Sequence, residues 1–138
     1  MKKTIHLLTL FACLFLLTGC SEKVGLSGKV TYSDDGSPLE TGQVCFTTDT
    51  YFSRGNIKEN GVYTLGSDKE TDGLPPGTYR VYVAYAAVEN GVDKNGDAIL
   101  VPLIDQKFAD GKTSGITLTV DASTKNFDFK VDRFRKKK

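Results

Sequence analysis

The residues best placed to do chemistry are a cysteine near the amino end and a scatter of side-chain oxygens in polar turns. Leu17-Thr18-Gly19-Cys20 brings small residues up to a thiol, after Lys2, Lys3 and an apolar run from Ile5 to Leu17. A charged, then apolar, then small-residue cassette is a secretory signal, and this one ends on a nucleophilic side chain. The apolar run falls well short of the roughly 20 residues that a membrane-crossing helix needs, so it reads as a cleaved leader and not a permanent span. Cleavage removes the single histidine, His6, together with Cys13. Serine or cysteine nucleophiles activated by histidine are thereby excluded from the mature chain, as are histidine-rich zinc sites. One thiol other than Cys20 remains, Cys45, which is too few for an internal disulfide or a structural zinc centre.

The oxygen-bearing residues are read in the same way. Asp34-Asp35, and Asp68 with Glu70, sit in apparent turns with no apolar surroundings to raise a pKa; they read as solvated carboxylates and not as a general acid and base. Asp93, Asn95 and Asp97 have the i, i+2, i+4 spacing of the first calcium ligands of an EF-hand loop. Ala98 then stands where the loop glycine belongs and Ile104 where the bidentate glutamate belongs, so a polar turn is expected, with a weak calcium site as the alternative. Cys45, between Val44 and Phe46, should turn its thiol outward or toward a covering loop and reads as a small strand residue; oxidation or intermolecular pairing of an exposed thiol is the alternative. Lys29 and Asn126 invite comparison with the lysine–asparagine isopeptide bonds of β-sandwich adhesins, but strand parity sends both to solvent. No cofactor is expected.

The leader and Cys20 resemble the start of bacterial lipoprotein precursors. The resemblance implies cleavage before Cys20, a diacylglyceryl thioether on its sulfur and an acylated amine, with palmitate among the acyl groups. At about 0.8 kcal/mol per buried methylene one acyl chain holds only marginally, so two or three make a lasting anchor. The expected partner is a membrane, through lipidated Cys20, in the bacterial cell envelope. Ser21 in place of aspartate is compatible with outer-membrane sorting if the cell is Gram-negative. The chain carries 18 basic and 17 acidic residues, without the basic excess that marks a nucleic-acid binder.

After the leader, short alternating segments are separated by turn residues, with no long 3.6-residue period, which predicts an all-β sandwich. Leu26, Gly28, Val30 and Tyr32 share one face of the first strand, and Val44 and Phe46 one face of the next. Arg54–Leu65 reads as a hairpin. A three-residue Glu59-Asn60-Gly61 loop puts Ile57 opposite Tyr63 and keeps the faces consistent, so a type I turn with left-handed Gly61 and a G1 bulge is expected. Residues 66–76 end in Pro75-Pro76-Gly77 and read as a loop. Tyr79, Val81, Val83 and Tyr85 give the clearest buried face, a second polar excursion runs from Glu89 to Asp97, and Ile116, Leu118, Val120 and then Phe127, Phe129, Val131 mark two late strands.

Gly28-Lys29-Val30-Thr31-Tyr32, Gly36-Ser37-Pro38-Leu39, Gly42-Gln43-Val44-Cys45-Phe46, Asn60-Gly61-Val62-Tyr63-Thr64-Leu65 and Pro76-Gly77-Thr78-Tyr79-Arg80-Val81 follow the order seen in carboxypeptidase regulatory-like domains. Over residues 24–132 the chain resembles that family, and Lys107–Asp110 with Thr113–Ile116 resembles small lipoproteins of the same type. The resemblance implies a transthyretin-like (prealbumin-like), seven-stranded Greek-key β-sandwich and almost nothing about activity. The hydroxyisourate hydrolases of that fold rely on histidines, which the mature chain lacks. The expected organisation is a signal peptide over 1–19, a lipidated tether over 20–23, the sandwich over 24–132 and a basic tail over 133–138, a frayed run that could add attraction to an anionic surface. The functional expectation is a non-catalytic envelope lipoprotein that binds an envelope protein or polymer or plays a structural part there. The alternative is a carbohydrate- or small-ligand-binding protein that uses Ser67–Pro76, Glu89–Pro102 and outward Tyr82 at one end of the sandwich.

Overall fold

A computed structural model describes residues 22–66 and 72–136. Cys20 and the leader, with Asp68 and Glu70, lie outside the described residues. The described residues form no α-helix and nine strands: β1 (Ser27–Tyr32), β2 (Gln43–Thr47), β3 (Phe52–Asn56), β4 (Val62–Thr64), β5 (Gly77–Ala84), β6 (Ala87–Val92), β7 (Ala98–Pro102), β8 (Ile116–Val120) and β9 (Phe129–Val131). β1 lies between β4, antiparallel to it, and β9, parallel to it. β3, β2, β5 and β8 make an antiparallel four-stranded sheet in that order, and β6 pairs with β7 in a separate hairpin.

Alternation builds the core as expected. Val30 and Tyr32, Val44 and Phe46, Tyr79, Val81 and Val83, and Phe129 and Val131 are all buried. The Phe46 ring, from the four-stranded sheet, meets Tyr63 of β4 at 6.4 Å and Phe127 at 6.2 Å between centroids, so the two sheets pack face to face as a sandwich. Gly28 is required here. A Cβ would collide with the Phe127 carbonyl, which accepts the Tyr63 hydroxyl at 2.5 Å, and burial pushes that phenol well above its ordinary range.

The turn at Gly61 forms as read. Its φ is +81°, the Gly61 amide donates to the Lys58 carbonyl at 2.7 Å, and the Lys58 amide donates to Val62 at 3.0 Å. The same register returns where Arg54 bridges Gly66, but between these points the arms join different sheets, β3 on β2 and β4 on β1. The hairpin is thus a corner of the sandwich.

Three expectations and one alternative need correction. Tyr85 leaves the core: its φ is +56°, the pleat of β5 stops at Ala84, and the ring is 80% exposed while Ala86 turns inward. The excursion after Glu89 is no open loop, since β6 and β7 pair across it. Cys45 is not an available thiol. It faces away from the core yet is only 2% exposed, covered through its cross-strand neighbours Tyr82 and Arg54, and burial pushes the thiol pKa up. The basic tail starts later than 133, because Arg133 bridges Ile104 and the Phe134 amide donates to Leu103 at 3.0 Å.

Candidate binding groove at one pole of the sandwich

β1 ends at Tyr32, where the chain must reverse, and Ser33–Ser37 makes the turn. The Gly36 amide donates back to Tyr32 at 3.0 Å and the Tyr32 amide to Ser37 at 2.8 Å. The turn carboxylates organise it. Asp35 accepts from the Ser37 amide at 2.9 Å and from the Ser37 hydroxyl at 2.6 Å. Arg133 closes the cluster from the other end of the sequence: Nε reaches Asp34 at 3.0 Å, Nη2 reaches Asp35 at 2.9 Å and the Ser37 hydroxyl at 2.7 Å. Its guanidinium lies 3.6 Å from the Tyr32 ring centroid, a stacked cation–π contact. The Ser37 hydroxyl and amide, with Arg133 beside them, hold the Asp35 carboxyl down to about 2.

This cluster forms one wall of a groove of about 530 Å³. Pro38, Val88 at the base of β6 and Leu103 after β7 supply apolar surface, while Thr41, Glu40 and Glu59 line the remainder. Arg133 is matched by two aspartates, whereas among the described residues neither Glu40 nor Glu59 has a basic partner. The groove carries excess negative charge over an apolar floor. Beside it stands the β6–β7 hairpin, with Val92 66% and Leu100 63% exposed.

A second groove, of about 330 Å³, lies on the outer face of the four-stranded sheet. Arg80, Tyr82, Asp110 and Lys112 line it, beneath the segment whose 3-10 turn spans Gln106–Ala109. Ser114 fastens that segment by donating from its hydroxyl to the Val81 carbonyl at 2.5 Å. Tyr82 does face outward, but it also covers Cys45, and burial pushes its phenol up to about 12.

The residues singled out in the sequence divide accordingly. Asp34 and Asp35 come together at the groove, with Asp35 held ionised and not raised toward a general acid. Asp93, Asn95 and Asp97 form the tip of the β6–β7 hairpin, where the Asp93 carboxylate accepts the amides of Asn95 at 2.8 Å and Asp97 at 3.0 Å. That turn accounts for the spacing, and no group of three or more histidine, cysteine or acidic side chains among the described residues is placed to hold a metal. Lys29 and Asn126 are exposed, Asn126 donating to Asp128 at 3.3 Å. The two segments expected to share one end do not. Leu74 pairs with Val24 where the tether enters, while β6 and β7 leave the far end of β5. The sequence reading missed Arg133, Glu40 and Glu59 as one site, because nothing local joins a terminal arginine to a turn about a hundred positions earlier.

No protein-family model matches the chain, and no curated protein matches it. Among solved structures it is similar to the major pilin subunit of Bacillus cereus, with a TM-score of 0.46 and 11% identity over 82% of this chain and 30% of the pilin. It is also similar to a 9R-lipoxygenase from Cyanothece, with a TM-score of 0.36 and 15% identity over 79% of this chain and 16% of the other. The chain therefore spans less than a third of either neighbour.

Proposed function

We propose that the protein is a lipid-anchored envelope module whose non-catalytic β-sandwich presents a partner-binding end away from its own membrane. One observation carries this reading: the tether and the groove occupy opposite poles. Val24 enters beside Leu74, near the start of β5, and the groove and hairpin lie past its other end. The eight residues of β5, at roughly 3.3 Å each, put about 26 Å between them. Lipidation at Cys20, followed by Ser21 and the described Glu22-Lys23, would hold the first pole against the bilayer and leave the second facing other envelope components. The two larger sheets, with β1 between β4 and β9, support a transthyretin-like Greek-key arrangement of seven strands within this reading. Membrane-extracted protein should begin at acylated Cys20, and Cys20→Ser should prevent acylation; an unmodified chain still starting at Met1 would remove the anchor. Crosslinking in intact envelopes should give adducts from the hairpin pole that disappear when Val88–Val101 is replaced by a short Gly/Ser turn. Unchanged adducts in that variant would show that the partner binds elsewhere.

Carbohydrate or small-ligand binding is the second reading, and the outer groove with Tyr82, Arg80 and Lys112 favours it. A glycan array distinguishes it, since only that reading expects saturable binding lost in Tyr82→Ala.

A further inference from the structure

We infer that the groove receives the basic tail of a second copy of this chain, Arg135-Lys136-Lys137-Lys138, so that two molecules join through their hairpin poles. The inference rests on the reading of that pole as the binding end and names a partner for it. Its basis is complementarity between two features of one pole. Among the described residues the groove presents Glu40 and Glu59 without basic partners beside apolar Pro38, Val88 and Leu103, and four consecutive cations follow Phe134.

A molecule's own tail is badly placed to fill its own groove. Phe134 is held on the Leu103 carbonyl, and Arg135 borders a different cavity, with Ser33, Asp34, Asp105 and Asp132. Arg135 thus lines the cavity that shares Arg133 with the groove and does not line the groove that holds Glu40 and Glu59. A two-fold arrangement resolves this: groove and tail share a pole, so each copy can give its tail and receive the other's. The exposed Val92 and Leu100 of the two hairpins would then lose water contact at the same junction, which suits a two-stranded hairpin that is marginal by itself.

Two differently tagged full-length copies, co-expressed and extracted from membranes, provide the test. Wild-type copies should co-purify at low salt and separate progressively as salt rises, because the contact is between exposed charges. Glu40→Lys with Glu59→Lys, and separately Arg135→Glu with Lys136→Glu, should each reduce self-association at least tenfold. Mixing one copy of each kind should restore it, since the mixed pair has one charge-reversed and one wild-type groove–tail contact and both are attractive; restoration also shows that both variants fold. Absence of wild-type co-purification at low salt would overturn the inference, as would loss that mixing does not restore. Envelope crosslinks from the hairpin pole without self-association would overturn this inference alone, while self-association that persists undiminished in the hairpin-replacement variant, which lacks Val88 of the groove, would overturn the inference together with the functional reading.

Discussion

Asp35 and Cys45 show how little a residue's type says before its neighbours are known. Adjacent turn carboxylates look like solvated acids, yet one is tied to a serine two positions on and to an arginine from the other end of the chain. Because its folded pKa is about 2, below the ordinary 3.8, the stabilisation from Asp35 is complete above about pH 4 and is lost as pH falls through 2. Carboxyl NMR titration should place its midpoint near 2, and Ser37→Ala should move it upward, since the Ser37 hydroxyl is the largest cause. An unmoved midpoint would dissolve the assigned network. For Cys45, burial disfavours the thiolate, so a thiol reagent should react slowly with the native protein and fully only on unfolding. Rapid native reaction would mean that Tyr82 does not cover it.

At the level of elements, parity was legible wherever a strand kept its pleat and failed where the pleat broke. Val81→Ala and Phe129→Ala should cost about 2–5 kcal/mol in urea denaturation, because both side chains fill the inter-sheet core. Arg80→Ala should cost well under about 1 kcal/mol, since its pair with Asp49 is largely exposed. Asp128 also sits on an outer face, but it accepts the Lys29 amide at 2.8 Å and so ties β9 to β1; Asp128→Ala should cost more than Arg80→Ala. The reverse order of these midpoints would invert the strand faces. Tyr85 supplies the complementary case. A left-handed, exposed tyrosine carries about 1 kcal/mol of backbone strain, so Tyr85→Gly should be neutral or mildly stabilising. A marked loss of stability in that variant would show the ring to be engaged.

Over the whole molecule, the separation of the poles is the property with functional weight. If Cys20 is acylated, Lys23 lies near the bilayer, while Asn95 at the hairpin tip stands beyond the far end of a strand about 26 Å long. Fluorophores at Lys23→Cys and Asn95→Cys in reconstituted protein, with Cys45 buried, should be quenched strongly and weakly by quenchers in the lipid headgroups. Equal quenching would lay the sandwich flat on the membrane. With Cys20 acylated, the same distance would put Arg135 beyond the field of that membrane, which decays over about 8 Å at physiological salt. The basic run is thus better matched to a facing molecule than to the surface beneath.

Local covalent order was sufficient for the period-two alternation, the Gly61 turn and the parity of Lys29, Val44, Phe46 and Asn126, because each depends on a few consecutive residues and the geometry of the pleat. The tertiary structure alone decided that the arms of the Gly61 turn part to opposite sheets, that the Asp93–Asp97 segment caps a hairpin and that Cys45 is covered. It alone joined Arg133 to Asp34, Asp35 and Tyr32, and put the two polar excursions at opposite poles. Those outcomes depend on which strands find one another across long stretches of chain, and that choice is made by the shared burial of both sheets, an energy that no short window of residues contains.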